Sequence, residues 1–344
     1  MRYEHPADPI LNEVLVAIGK RYKSVQADIE KRLKQYTDKR GWKTTGLAWA
    51  YLVNELAGLL YEANTDAVDE ANAKRFEAFS EGANLTGWKL AGGGTTRGGG
   101  AGRGQRKYDP LPFTPKVAEA LQDAGLLDLA KKVVKKKKDI AWSKRQIRAV
   151  VNAALINRDA EGGGGGTRGG GAGRTNKVRK AEPKEEPNAR DVARKIVAHA
   201  ETSMRVTAQQ IVFSSYDGGI YIAGVEASGD GFDIEKTWLG IPDMRIRDSH
   251  RHLNGTTLPI MELFRGFNGV LRYPHDPMAP PAETMNCRCR LSVHMAGDAP
   301  KGVTDRVLPS ETAAYRKWRD NAIRSAGTRL TAEHRRRLHG DVHR

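Results

Sequence analysis

Three stretches in the C-terminal third carry most of what can be read from this chain. They are KTWLGIPDMRIRDSHRHLNGTTL at 236–258, ELFRGFNGVLRYPHDP at 262–277 and PPAETMNCRCRLSV at 280–293. Asn254-Gly255 reads as a turn, and Pro274, Asp276 and Pro277 as a second one. Residues two apart on a strand face the same side, so Cys287, Cys289 and Leu291 share one face while Arg288 and Arg290 take the other. Upstream, Gly218, Gly219, Gly224 and Gly229 break short β-rich runs such as GIYIAGV at 219–225. Apolar runs cut by turn residues predict a compact α+β unit here.

Working back towards the N-terminus, the pattern changes to helical. Asp8 is placed as an N-cap with Pro9 at the first helical position. Leu11, Val14, Leu15, Ile18, Tyr22, Val25, Ile29 and Leu33 then form one stripe at 3–4 spacing. A turn at DKRGWKTTG separates this helix from a second, with Leu52, Leu56, Leu59, Leu60 and Ala63 in register and Phe79 towards its end. A third helical region lies at 108–161: Thr114 caps a short helix that Gly125 breaks, a second helix runs into KKVVKKKK, and Ser143 caps another. A further helix begins near Asn188, and the tail from Ser310 is helical and basic.

The stretch TRGGGAGR occurs at 96–103 and again, unchanged, at 167–174. Ordering glycine costs the most backbone entropy and yields no side-chain burial, so both copies are predicted to be flexible linkers. The fold class expected is mainly α with a small α+β C-terminal domain, in several segments joined by Gly-rich linkers. The expected boundaries are a helical hairpin at 1–90, a Gly/Arg-rich linker at 91–107, a small basic helical domain at 108–161, a second linker at 162–187, the α+β domain at 188–298 and a basic helical tail at 299–344.

Charge is regional. The chain carries a net +16, and residues 92–180 hold 20 Lys plus Arg against 7 Asp plus Glu. Most of the excess therefore belongs to one segment and its partner. The candidate nucleic-acid contacts are Arg97 and Arg103 on the first arm, Arg168 and Arg174 on the second, and Lys131, Lys132, Lys135, Lys136, Lys137, Lys138, Lys144 and Arg145 between them. Six lysines in the eight positions 131–138 exceed what a helix C-terminus needs to satisfy its dipole. Basic Gly-rich segments bind nucleic acid without sequence preference, so duplex DNA is the expected partner. No apolar run approaches the roughly 20 residues of a membrane span, and MRYEHPADPI lacks the layout of a secretion signal. The expected place of synthesis is the cytoplasm.

The order and spacing of the C-terminal motifs closely resemble the phage Mu F-like head-morphogenesis family. The residues that carry the resemblance are Trp238; Asp243, Arg245, Arg247 and His250; Asn254 and Gly255; Tyr273, Pro274, Asp276 and Pro277; and the Asn286-Cys287-Arg288-Cys289 run. The motif core is 236–295. One departure is His275, where members commonly carry Gly. The resemblance implies a structural minor head protein of a tailed bacteriophage, present in few copies, located in the head interior or at the portal vertex after assembly in the host cytoplasm. It further implies the portal protein or the major capsid protein as partner, and a role in head assembly, DNA packaging or ejection.

The residues themselves leave some chemistry open. Two thiolates on one face can chelate a metal, with His250 and His252 available to complete a tetrahedral site. Cys-x-Cys alone is a weak zinc signal, and buried free Cys as a small hydrophobe is the commoner outcome. The expectation is thus no cofactor, with a structural Zn²⁺ on His250, Cys287 and Cys289 as the alternative. The polar set Asp243, Arg245, Arg247, Asp248 and His250 is expected to be an ion-pair network locking the Asn-Gly turn onto the Cys-containing strand. No nucleophile with an adjacent base, no phosphate-binding Gly loop before a helix and no paired carboxylates stand out, so an enzyme is not expected. The competing reading is a metal-dependent nuclease or toxin-like effector built on His250, Cys287 and Cys289.

Overall fold

The computed structural model describes residues 5–92, 108–127, 140–160, 186–241, 244–300, 309–326 and 330–340. Its elements are helices α1 (Asp8–Arg40), α2 (Leu47–Leu90), α3 (Pro115–Asp123), α4 (Ile140–Ala160) and α5 (Ala189–Gly229); strand β1 (Ile234–Leu239); helix α6 (Asp248–Leu253); strands β2 (Thr257–Pro259), β3 (Phe264–Arg265) and β4 (Val270–Leu271); helix α7 (Pro281–Thr284); strand β5 (Arg290–Met295); and helices α8 (Pro309–Ala326) and α9 (Leu330–Gly340). The fold is mainly helical with a small antiparallel sheet towards the C-terminus, as the sequence predicts.

The chain packs as two compact units, neither continuous in sequence. One gathers Met1–Ala17, Ala67–Lys136 and Arg205–Arg344, the other Ile18–Asp66 and Lys137–Met204. The stretch 108–161, expected as one small basic domain, contributes α3 to the first and α4 to the second.

The second unit realises the 3–4 stripe. Ile18, Tyr22, Val25, Ile29 and Leu33 are buried on one side of α1, and Leu52, Leu56, Leu60 and Ala63 on the facing side of α2. The Tyr22 hydroxyl donates to Asn64, and Arg21 pairs with Asp66 at 2.7 Å. Ile147 and Val151 of α4 are buried, as are Val192, Ile196, Val197 and Ala200 of α5. α4 begins at Ile140, so Ser143 is not its cap; it lies inside the helix and is buried. The middle helix expected through KKVVKKKK lies outside the described residues.

In the first unit, α1 starts with a reciprocal cap. The Ala7 N–H donates to His5 Nδ1 (3.1 Å) and the His5 N–H donates to the Asp8 carboxylate (2.7 Å), so His5 does the capping and Asp8 reaches back to it. Thr114 caps α3 as expected, accepting from the Val117 N–H at 3.1 Å, and Gly125 follows it with φ +76°. The tail helices are part of this core: Tyr315 of α8 packs with Leu85 and Trp88 of α2, and His334 of α9 lies 4.0 Å from the Phe113 ring.

The run GIYIAGV is not a strand. It is the C-terminal part of α5, which stays helical through all four of its glycines. Glycine serves here for close approach rather than as a breaker. A Cβ on Gly219 would sit 2.0 Å from the Phe79 carbonyl oxygen, and one on Gly82 would sit 2.2 Å from that of Tyr216, so α2 and α5 meet backbone to backbone. Gly224 faces the sheet, where a Cβ would meet Ile260 and Val293 at 2.8 Å. Substituting Ala for Gly at 219 is therefore expected to destabilise by about 1–3 kcal/mol or more, because backbone atoms cannot swing aside. The matched Gly58→Ala change, with nothing within 4 Å, should instead stabilise by up to about 1 kcal/mol through helix propensity. Denaturation midpoints of the two variants should move in opposite directions; equal shifts would remove the close-packing account.

The sheet order is β2-β1-β5, all antiparallel, with Trp238 opposite Leu291 and Lys236 opposite Val293. β3 and β4 form a separate two-residue ladder. Among the described residues, no helix is long and apolar enough to cross a membrane.

Candidate functional site

Between β1 and β5 the chain makes only short elements, and polar contacts to buried groups hold it in place. Trp238, fully buried on β1, walls one side: its ring meets His250 edge-on at 5.0 Å and Phe264 at 5.2 Å. Its backbone receives the returning turn, with the Gly255 N–H donating to Trp238 O (2.8 Å) and the Trp238 N–H to Thr256 O (3.0 Å). Gly255 adopts φ +81°, and the Asn254 side-chain oxygen accepts from the Gly240 N–H at 2.8 Å. The Asn-Gly pair is thus a true turn that locks the exit of β1.

The short helix α6 turns Ser249 and His250 inward, and Glu283 of α7 meets them. Glu283 is fully buried and accepts from Ser249 Oγ (2.8 Å), from the Asn268 N–H and side-chain amide (2.8 Å each), and from His250 Nε2 (3.1 Å). Burial alone would raise its pKa, but these donors outweigh it and hold the carboxyl below its ordinary value. A Cβ on Gly266 would lie 2.9 Å from this carboxyl, so the hairpin between β3 and β4 must carry glycine there.

The other ring nitrogen of His250, Nδ1, faces two sulfurs: Cys287 Sγ at 3.4 Å and Cys289 Sγ at 3.5 Å. All three side chains are buried. Alternation from 287 to 291 is as expected, Arg288 and Arg290 being half-exposed, although β5 itself begins only at Arg290. Neither cysteine is in a disulfide. The Cys289 N–H donates to Cys287 Sγ at 3.4 Å. Cys287 and His250 beside it pull the Cys289 thiol below its ordinary value, while burial pushes Cys287 up. His252 does not join the group; it is exposed on the opposite side of the one-and-a-half-turn α6, near Phe267.

The expected ion-pair network takes another form. Arg247 donates to the carbonyls of Ala282 and Met285 at the end of α7, where a helix terminus leaves acceptors without intrahelical partners. Asp248 pairs with Arg251 at 3.3 Å, and His250 pairs with Glu283. Arg245, Arg247, Asn286 and Arg288 rim a pocket of about 20 Å³, with His250, Cys287 and Cys289 also lining it. Asp243 lies outside the described residues.

The Tyr-Pro-x-Asp-Pro turn is fixed from within. Asp276, 2% exposed, accepts from the Arg272 N–H (2.9 Å), from its guanidinium (2.9 and 2.6 Å) and from the Met278 N–H (3.0 Å). Tyr273 and Pro274 are buried and Pro277 is half-buried. Lys236, fully buried, donates to Arg272 O at 2.8 Å and lies over the rings of Tyr221 and Phe264; burial brings its pKa down to about 7.

His275, the residue that departs from the family pattern, has φ +62°, a backbone region that favours Gly. Its side chain offsets the strain with two buried contacts, Nδ1 to Asp217 at 2.9 Å and Nε2 to Cys287 O at 2.8 Å. Burial would lower its pKa, but the Asp217 carboxylate and the carbonyl raise it, so both nitrogens donate. The sequence reading missed Glu283, Asp217, His5 and Asn268. The only available signals were the unusual His at 275 and a lone Glu four residues before the cysteines.

Of the candidate nucleic-acid residues, Lys144 is half-exposed and Arg145 exposed on α4. Arg97, Arg103, Lys131, Lys132, Lys135 to Lys138, Arg168 and Arg174 lie outside the described residues.

Residues 185–292 match the family described as Phage Mu protein F like protein. Neither the comparison with curated proteins nor that with solved structures gave a match. The matched segment runs from just before α5 into β5 and takes in His250, Glu283, Cys287 and Cys289, so this domain of the chain is similar to the Mu F-like family.

Proposed function

We propose that the protein is a structural minor head protein of a tailed bacteriophage that acts in head morphogenesis near the portal. The observation carrying this reading is the family match over 185–292, a family of phage head components. On this reading the partners are the portal or major capsid protein, and the mature location is the virion, in the head interior or at the portal vertex. Assembly takes place in the host cytoplasm. The basic segment 92–180 contacts duplex DNA without sequence preference during packaging or ejection.

The geometry of the buried cluster supports a structural rather than an enzymatic role. His250, Cys287 and Cys289 are each at most 3% exposed, and the pocket above them has room for about one water molecule, not for a phosphodiester. A nuclease centre needs access for its substrate.

Purified virions are expected to contain the protein at a small fraction of the major capsid protein's copy number. Particles assembled without it should be defective in assembly or infection. Its absence from washed virions, with normal infectivity after deletion, would overturn the reading.

A further inference from the structure

We propose that His250 Nδ1, Cys287 Sγ and Cys289 Sγ bind one Zn²⁺ ion that staples the segment between β1 and β5. In a tetrahedral centre with Zn–S near 2.3 Å and Zn–N near 2.0 Å, nitrogen and sulfur ligands lie roughly 3.5 Å apart. The separations here are 3.4 and 3.5 Å, and all three ligand atoms lie within 4.8 Å of one another. Nδ1 has one in-plane lone pair, yet both sulfurs converge on it. One S–H···N bond accounts for one of them, and a shared cation accounts for both.

The tautomer is set for the ion. Glu283, ionised and saturated by its donors, accepts from Nε2 and so keeps the proton there, leaving Nδ1 bare towards the sulfurs. A carboxylate behind a ligating imidazole is the usual second layer of a zinc site. Binding forms two Zn–S bonds, releases to solvent the thiol protons that Cys287 and Cys289 still carry, and leaves the imidazole proton on Nε2. The result is a neutral Zn(Cys)₂(His) centre. The pocket that touches all three ligands has room for the single water that completes the tetrahedron.

The fold supplies the need for such a staple. From Gly240 to Cys289 the described elements are helices of six and four residues, a three-residue strand and a two-stranded ladder of two residues each. So little regular structure buries little apolar area, and small units of this kind are commonly held by a metal. The ion would join α6 to the lead-in of β5, 37 and 39 residues away. The buried His5, Asp217 and His275 also converge, but both nitrogens of His275 are already committed to Asp217 and Cys287 O. This inference holds whether or not the protein works at the portal.

The test uses the full chain, stripped with a chelator and titrated with Co²⁺. The expected result is a thiolate-to-cobalt charge-transfer band with intense visible bands of a tetrahedral centre, saturating at about one ion per chain and displaced by Zn²⁺. Cys287→Ser with Cys289→Ser should abolish the band. Since that variant can lose its fold, Glu283→Gln is the second probe: the band should remain while affinity weakens about 10–100-fold. Wild-type protein that gives no thiolate band would overturn the proposal. So would visible bands without charge transfer, which would place the cobalt on other histidines.

Discussion

Changing Glu226 to Gln is expected to flatten a steep pH dependence of stability. Glu226 of α5 is 1% exposed, and its Oε1 has no hydrogen-bond partner. The nearest cation is Arg337 at 3.9 Å, but that guanidinium is engaged by Asp230 at 2.8 Å and Glu333 at 3.4 Å. Burial therefore dominates and raises the Glu226 pKa to about 8, with Arg337 opposing it. A carboxyl raised above its unfolded value contributes stability that is fully present below that value and is lost as pH rises through the folded value. The window is thus from about 4.5 to about 8. Across it the loss is about 1.4 kcal/mol per pH unit, on the order of 5 kcal/mol in all.

His334 partly masks this in the wild type. Burial lowers its pKa to about 4, so it adds stability as pH rises from about 4 to its unfolded value near 6.5. His334 Nε2 lies 3.9 Å from Glu226 Oε1, so the carboxyl is read most cleanly above about pH 6.5, where His334 is neutral in both the folded and the unfolded chain. Urea denaturation at pH 5, 6.5 and 8 should show the variant gaining on the wild type at each step. Parallel stabilities over that range would mean that Glu226 is ionised and solvated in the folded protein.

The elements read correctly from sequence were those with local causes. The α1 stripe follows from 3–4 spacing, the α3 cap from Thr114 before Pro115, and the Asn254-Gly255 turn from glycine's access to positive φ. Long-range causes were invisible. Gly219 looks like a breaker unless Phe79, 140 positions earlier in the chain, is known to lie against it. In the same way Glu283 is one acidic residue among 41 until the fold brings Ser249, His250 and Asn268 to its oxygens. His275 lay between these cases: the residue was visibly odd, but its partner Asp217 is 58 positions away on a helix that the sequence did not extend that far. The Cys-x-Cys pair illustrates the same limit from the side of chemistry. Spacing placed both sulfurs on one face, and only tertiary structure could say that a histidine with a fixed tautomer points at them.

Binding to duplex DNA is expected to be nearly independent of sequence and to weaken steeply with salt. The reason is electrostatic: residues 92–180 carry 20 Lys plus Arg against 7 Asp plus Glu, among glycine-rich sequence that offers few base-reading side chains. Each phosphate neutralised contributes roughly −0.9 to the slope of log K against log salt. With about five to eight phosphates engaged, affinity should fall by about three orders of magnitude between ~50 and ~200 mM salt. Replacing Lys135 to Lys138 with Ala removes at most four contacts, so the slope should flatten by at most about four such increments. Circular dichroism of that variant should still report the folded units, because those lysines lie outside both the buried cluster and the described core. Deleting residues 92–180 should abolish binding altogether. It would also remove α3 and α4, so the fourfold Lys variant is the cleaner measure of the charge itself. If the intact protein binds DNA no better than the deletion, the charge serves a different polyanion, the simplest being an acidic surface of the portal or capsid.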